Sequence, residues 1–248
     1  MHNTGYVIRF IFIITALSAL SLAFLSTTFK ERHERNEAIF NKRAILSAVE
    51  GPLGQSAAGL SDAEVQEVFD KQVTQLVLNM QGEEVGTDGV LAHGHKGGKA
   101  EDVDMAKERK RPEPERLLPL FIFTSGGEKY YIVSVRGSGL WDEIWGNIAL
   151  EEDLTTIAGA AFDHKAETPG LGAEIKDNPA FPAEFIGKKI YNTDGTYTSV
   201  IVRKGGASND RNEVDGISGA TITGNGVTEM MQRGIKYYEP FFNTLKTD

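Results

Sequence analysis

The run Asp215-Gly216-Ile217-Ser218-Gly219-Ala220-Thr221-Ile222-Thr223 sets three hydroxyls among small side chains just before an apolar-periodic segment. Small residues let a backbone approach a bound group closely. Ser218, Thr221 and Thr223 supply hydroxyls, and the helix expected to start near residue 222 aims unpaired N–H groups and the positive end of its dipole at the same place. That is the chemistry of an anion site of phosphate size. The same residues would also serve as an ordinary Ser/Thr helix cap.

Two further runs carry chemistry. His164-Lys165-Ala166-Glu167-Thr168-Pro169-Gly170-Leu171-Gly172 combines a fixed Pro-Gly path with exposed N–H groups beside an apolar Leu171. Taken alone it reads as a Pro-Gly turn. Gly137-Ser138-Gly139-Leu140-Trp141-Asp142 follows a strand-like segment and sets an indole in a glycine-flanked loop, where it would stack on a planar ring. Taken alone, Trp141 reads as core.

The elements that must position these runs are expected as an α+β domain, a largely antiparallel sheet packed by helices mainly on one side. Segments 120–123 and 130–135 flank Ser125-Gly126-Gly127 as a hairpin, and 144–150 with 155–162 flank Glu151-Glu152-Asp153 as a second. Segments 188–191 and 197–203 flank Asn192-Thr193-Asp194-Gly195 as a third. Residues 73–78 read as a strand. Residues 34–49 read as a helix ended by Gly51-Pro52. Ser61-Asp62-Ala63-Glu64 opens a second helix by a capping-box pattern. A last helix is expected over 222–245, kinked at Pro240, with Val227, Met230, Met231, Gly234, Tyr238, Phe241, Phe242 and Leu245 on its apolar face. Residues 82–116 are polar and glycine-rich and read as a surface excursion. Within it His93-Gly94-His95 has no ligand spacing typical of a metal and reads as solvated loop.

Composition narrows the function classes. The chain has 248 residues, no cysteine and a net charge of −9. This excludes disulfides, thiolate metal sites and cysteine-linked lipid, and argues against nucleic acid as the partner. Residues 10–25 carry no charge. As a helix, residues 7–29 would run about 35 Å, enough to cross about 30 Å of hydrocarbon. The apolar run continues past the small residues Ser18-Ala19, so an uncleaved anchor is favoured over a signal peptide. The expected division is a membrane anchor over 1–30 and a globular domain over 31–248. Lys30, Arg32 and Arg35 follow the span and are partly offset by Glu31 and Glu34, a balance that mildly opposes export of the large domain.

The three runs occur together and in order, behind an anchor and a helical neck. On them the chain resembles the C subunit of the sodium-translocating NADH:quinone oxidoreductases, and the same flavin-binding domain occurs in the G subunit of the related Rnf electron-transport complex. The length and the 82–116 excursion look more like the sodium-pump protein. The resemblance implies covalent FMN, joined through its phosphate to Thr221 by a separate flavin transferase, with Ser218, Gly219, Ala220 and Thr223 framing the phosphate. It implies Trp141 and Leu171 on the faces of the ring, with Leu140 beside them, and Glu167, Thr168, Gly170 and Gly172 at its edge. It further implies an electron-transfer subunit of an NADH:ubiquinone reductase without its own substrate site, passing single electrons from a membrane iron centre to a second covalent flavin. Partners would be the other subunits, the transferase and the lipid bilayer, and the domain would face the periplasm.

Overall fold

The computed structural model describes residues 4–247; residues 1–3 and 248, the outer ends of the expected anchor and domain, lie outside the described part. The chain divides into two units, one up to Phe40 and one from Asn41 onward. The described residues of the first are all helical, in a helix that runs Thr4–Leu46. The expected anchor and neck are therefore one helix, because no glycine or proline interrupts the sequence between them. Its large apolar side chains are bare, Phe12 at 74% and Phe24 at 71% exposure. The segment is long and apolar enough to cross a membrane.

Gly51-Pro52 does not end this segment as expected. A 3-10 turn, Ser47–Val49, and one more helical turn, Glu50–Leu53, follow it directly. Pro52 sits in a first turn, where its missing N–H costs nothing, and Gly54 closes the turn in the left-handed conformation at φ 75°. The capping box forms as the sequence predicts: Glu64 N–H donates to Ser61 Oγ at 3.3 Å, Ser61 N–H donates to Glu64 Oε2 at 2.7 Å, and the helix runs Asp62–Gln72. Ser61→Ala is expected to lower stability by about 1 kcal/mol in urea unfolding, the usual worth of such a cap.

Strands β1 (Val73–Leu78), β2 (Leu118–Ser125), β3 (Glu128–Ser138), β4 (Glu143–Leu150) and β5 (Ile157–His164) form one antiparallel meander in sequence order. The first two expected hairpins are present, the turn at Gly126-Gly127 taking φ 60° and 92°. Both faces of the sheet are covered rather than mainly one. Leu118, Leu120, Val133 and Val135 join Val227, Met230 and Met231 in one cluster. On the alternate side Phe121 packs edge-on to Phe69 of the 62–72 helix, ring centres 5.9 Å apart.

The third expected hairpin reduces to a single bridge, Tyr191 to Tyr197. The chain continues into β6 (Ile201–Arg203), which pairs in parallel with β7 (Glu213–Asp215). The expected last helix is two. The site helix runs Thr221–Lys236 and the final helix Glu239–Thr247, so Pro240 opens a new first turn instead of kinking an old one. Tyr238 lies between them, fully buried, its hydroxyl 2.9 Å from the Pro119 carbonyl oxygen and 3.1 Å from that of Ser134. Burial pushes its phenol well above the ordinary range. Leu245, expected on the apolar face, is 38% exposed.

The 82–116 excursion is folded against the domain. It holds short helices at Thr87–Ala92 and Met105–Glu108. Its His95 is not solvated: the ring is buried, with Nε2 3.0 Å from Glu108 Oε1. Asp104 N–H donates to Nδ1, so Nε2 carries the hydrogen shared with Glu108. Glu108 also accepts from Arg111 Nε at 2.9 Å and from Leu117 N–H at 2.7 Å. His95 thus belongs to a structural network around one buried carboxylate, with His93 Nδ1 3.8 Å from the same Oε1, and no metal-binding cluster occurs among the described residues.

Candidate functional site

The three sequence runs meet at one place. Each leaves the sheet or enters a helix at a point where the local chemistry dictates a turn. Residues 139–142 join β3 to β4, closed by Gly139 N–H donating to the Asp142 carbonyl at 2.8 Å. The second run leaves β5 at His164, whose Nδ1 accepts from Glu167 N–H at 3.2 Å, so this histidine shapes the turn. Thr168-Pro169-Gly170-Leu171 then closes by Leu171 N–H donating to the Thr168 carbonyl at 3.1 Å, with Gly170 at φ 75°. Proline second and a left-handed glycine third is the pattern of a type II turn.

The third run leaves β7. Gly216 N–H donates to the Arg203 carbonyl at 2.8 Å, and Gly219, at φ 77°, turns the chain into the site helix. An ideal Cβ on Gly219 would stand 2.6 Å from Leu171 Cδ2, so glycine there lets the second and third runs touch. The site helix begins behind Ala220 with no side-chain cap. Its first N–H groups therefore lack the partner that Ser or Thr usually provides. Among the described residues the hydroxyls of Ser218 and Thr221 enter no hydrogen bond, whereas Thr223 Oγ1 donates to Glu167 Oε2 at 2.6 Å.

Glu167 is the knot of the site. It is 5% exposed. Its Oε1 accepts from Trp141 N–H at 2.9 Å and its Oε2 from Thr223. One buried carboxylate therefore joins all three runs, and both its oxygens are engaged within the protein. Gly139 and Gly172 border it so closely that a Cβ on either would collide with the carboxylate. Trp141 adds a second tie, its indole N–H donating to Thr168 Oγ1 at 3.0 Å.

The surface that results is apolar and open. Trp141 is 68% exposed, so the core reading of that residue does not hold, and Leu140, Leu171 and Ile222 lie bare with it. Beside this surface the carboxyl of Asp142 is held below its ordinary range by the Glu143 N–H and by Lys165, whose Nζ is 3.0 Å away.

Residues outside the three runs also position them, and sequence reading missed them. Arg109, from the excursion, donates to the Gly137 carbonyl at 2.8 Å and to Ser138 Oγ at 2.7 Å. The site helix lies close on β3 because Gly137, Gly226 and Gly234 leave no room for a Cβ. Glycines inside a helix each cost about 1 kcal/mol relative to alanine, and that penalty was the available signal of a close approach. At the foot of β7, Glu213 accepts from Ser208 N–H at 2.8 Å, Asn209 N–H at 3.0 Å and Arg203 Nε at 2.7 Å. The Ser208 N–H and the Arg203 guanidinium hold its carboxyl down to about 2. A lowered carboxyl stabilises the fold above its unfolded value, and that contribution fades as pH falls from the ordinary 4.5 towards 2. Glu213→Gln is thus expected to melt below the native chain at pH 6, with the gap closing by pH 2; an equal gap at both would contradict the assignment.

Residues 139–236 match the FMN-binding domain family. Over 235 residues the chain is 31% identical to the C subunit of the Na(+)-translocating NADH-quinone reductase of Pseudomonas aeruginosa, a match covering 88% of this chain and 86% of that one. It is 28% identical to the corresponding protein of Vibrio anguillarum over 91% and 89%. The crystal structure of the same component from Parabacteroides distasonis superposes with a TM-score of 0.72 at 34% identity, covering 86% of this chain and 96% of that one. Shewanella oneidensis NqrC superposes with a TM-score of 0.70 at 27% identity, over 88% and 100%.

Proposed function

The chain belongs to the NqrC family, the FMN-carrying C subunits of the Na+-translocating NADH-quinone reductases, and on that footing we propose that it holds its FMN by a phosphoester to Thr221 and relays single electrons. The observation that carries the linkage is the pairing of an unbonded Thr221 hydroxyl with an uncapped helix start. A phosphate placed there would meet free N–H groups and the positive end of the helix dipole. In the attachment the Thr221 oxygen bonds to the FMN phosphorus of FAD, the pyrophosphate bond breaks, and AMP departs with the hydroxyl proton. A separate flavin transferase supplies the machinery for this step.

The residues suit the group. Ser218, Gly219 and Ala220 would frame the phosphate, and Thr223, buried with its hydroxyl on Glu167, would support that frame from behind rather than bond the group. Trp141 and Leu171 offer bare apolar surface for the ring, with Leu140 beside them, while Thr168, Gly170 and Gly172 border its edge. Glu167 sits at that edge too, and with both oxygens engaged in the protein it orients its neighbours. The bound FMN supplies one-electron redox chemistry, and the protein positions it and tunes its electronics.

Electrons would arrive from a membrane iron centre and leave to the next covalent flavin, with no substrate site in this protein. We place residues 1–30 in the bilayer as a single span and residues 31–248 on the periplasmic side, where the other subunits dock. Tethering by one span raises the local concentration of carrier at both partners. Produced together with a flavin transferase, the full chain is expected to fluoresce as a band in a denaturing gel. A colourless, non-fluorescent band under those conditions would contradict the proposed linkage.

A further inference from the structure

A cavity of about 240 Å³ lies behind the flavin-facing loops, walled by the excursion around 105–118, by β3 and by the second half of the site helix. Its lining combines apolar side chains, Leu117, Leu118 and Met230, with the guanidinium groups of Arg109, Arg116 and Arg136. Arginine crowding is unexpected in a chain with a net charge of −9.

The donors and acceptors of this wall do not balance. Arg116 is half-buried, and its three hydrogen bonds all go to uncharged oxygens: Nε to the Arg111 carbonyl at 3.1 Å, Nη2 to the Arg109 carbonyl at 3.0 Å and Nη1 to the Tyr237 hydroxyl at 3.4 Å. The Tyr237 ring lies 6.0 Å from its Cζ and orients it further. Among the described residues no carboxylate comes within ion-pair distance of it. Arg109 also bonds to neutral oxygens, and its carboxylate neighbour Glu143, at 3.6 Å, is held at 2.6 Å by Arg136. Of the two carboxylates in the wall, Glu108 is already engaged by His95, Arg111 and the Leu117 N–H, and Glu229 is paired with Arg233 at 3.1 Å.

A guanidinium has five N–H groups, and Arg116 uses three. The Tyr237 hydroxyl that it meets donates in turn to Glu113 Oε2 at 2.9 Å, so the nearest counter-charge is one hydrogen bond away and none bonds the guanidinium directly. A planar fork with spare donors matches a carboxylate. The apolar floor beside it matches a compact carbon body. Cavities of about 150 Å³ admit benzene, so the volume here leaves room for a ring with its acid group.

We propose that this cavity is a binding site for a small organic carboxylate, with the acid group on Arg116 and Arg109 and the carbon body against Leu117, Leu118 and Met230. The cavity shares Gly137 and Ser138 with the first of the three runs, and its acid-binding arginines lie outside them. Arg109 connects the cavity to the flavin surface, because it also holds Gly137 and Ser138 at the root of the Trp141 loop.

The test is a fluorine NMR titration of the full chain in detergent with 4-fluorobenzoate, beside 4-fluorobenzyl alcohol and inorganic phosphate. Saturable binding of the acid is expected, at least about tenfold tighter than the alcohol, as charge-assisted hydrogen bonds would give. Arg116→Gln should weaken it about tenfold. Arg109→Gln should weaken it as well and serves if the first variant does not fold. No saturable binding, equal binding of acid and alcohol, or unchanged binding in the folded variants would overturn the proposal. Displacement of the acid by phosphate at equal affinity would overturn the choice of a carboxylate.

Discussion

Thr221→Leu, produced with a flavin transferase, is expected to lose its in-gel flavin fluorescence to background while the native chain keeps a bright band. The effect is all-or-none because a phosphoester needs an oxygen, and leucine offers none. The fold should survive. Thr221 is only half-buried at the first helical position, and its hydroxyl makes no hydrogen bond whose loss would destabilise the domain. Thr223→Val is the matched control. It removes a hydroxyl two residues away that is already committed to Glu167. The fluorescent band should persist there, with the loss appearing in stability instead. Were Thr223→Val to abolish the band and Thr221→Leu to spare it, the two roles would have to be exchanged.

The second large effect is expected at Glu167. Glu167→Ala leaves the Trp141 N–H and the Thr223 hydroxyl without their acceptor in a buried place. Unsatisfied buried donors cost about 1–3 kcal/mol each, and breaking a buried charged network about 3–5 kcal/mol. The variant should lose about 2–5 kcal/mol, which lowers the melting temperature by roughly 5–15 °C in a domain of this size. Glu167→Gln should lose less, because its amide oxygen accepts one bond and the Thr223 hydroxyl can turn to accept the other from the amide. A side chain that only touched the rim of a bound ring would behave differently. Its replacement would change the flavin spectrum and leave the melting temperature of the unloaded chain in place. Calorimetric melting of the unloaded chain, native against both variants, separates these outcomes.

How much of this could be read beforehand differs from element to element, for physical reasons. The meander was legible because its hairpins carry strong local turn chemistry, as at Gly126-Gly127. The capping box of Ser61 and Glu64 was legible because it is complete within four residues. The parallel pairing of β6 with β7 was not. Asn192-Thr193-Asp194-Gly195 makes its local turn, but the segment after it is drawn onto the site helix, where Val202 N–H donates to Thr228 Oγ1 at 2.9 Å. Tertiary pairing overrode the hairpin signal.

The site shows the same division. The runs at 139–142, 164–172 and 215–223 announced themselves by glycine, proline and hydroxyl spacing, and the structure brings them together. What joins them could not be seen, since the bonds of Glu167 span 26 and 56 positions of sequence. His95 was misread for a related reason. Its partner Glu108 lies 13 residues away in a segment whose polarity looks like that of a solvated loop. Polarity marks exposure only when polar groups lack internal partners, and here they have them.

The measurement closest to the central claim is peptide mass spectrometry on the protein taken from its native membrane. The account predicts that the peptide containing Thr221 carries the mass of one FMN less one water, with fragmentation placing the group on that threonine. An unmodified Thr221 peptide from membranes that still pass electrons from NADH to quinone would contradict it.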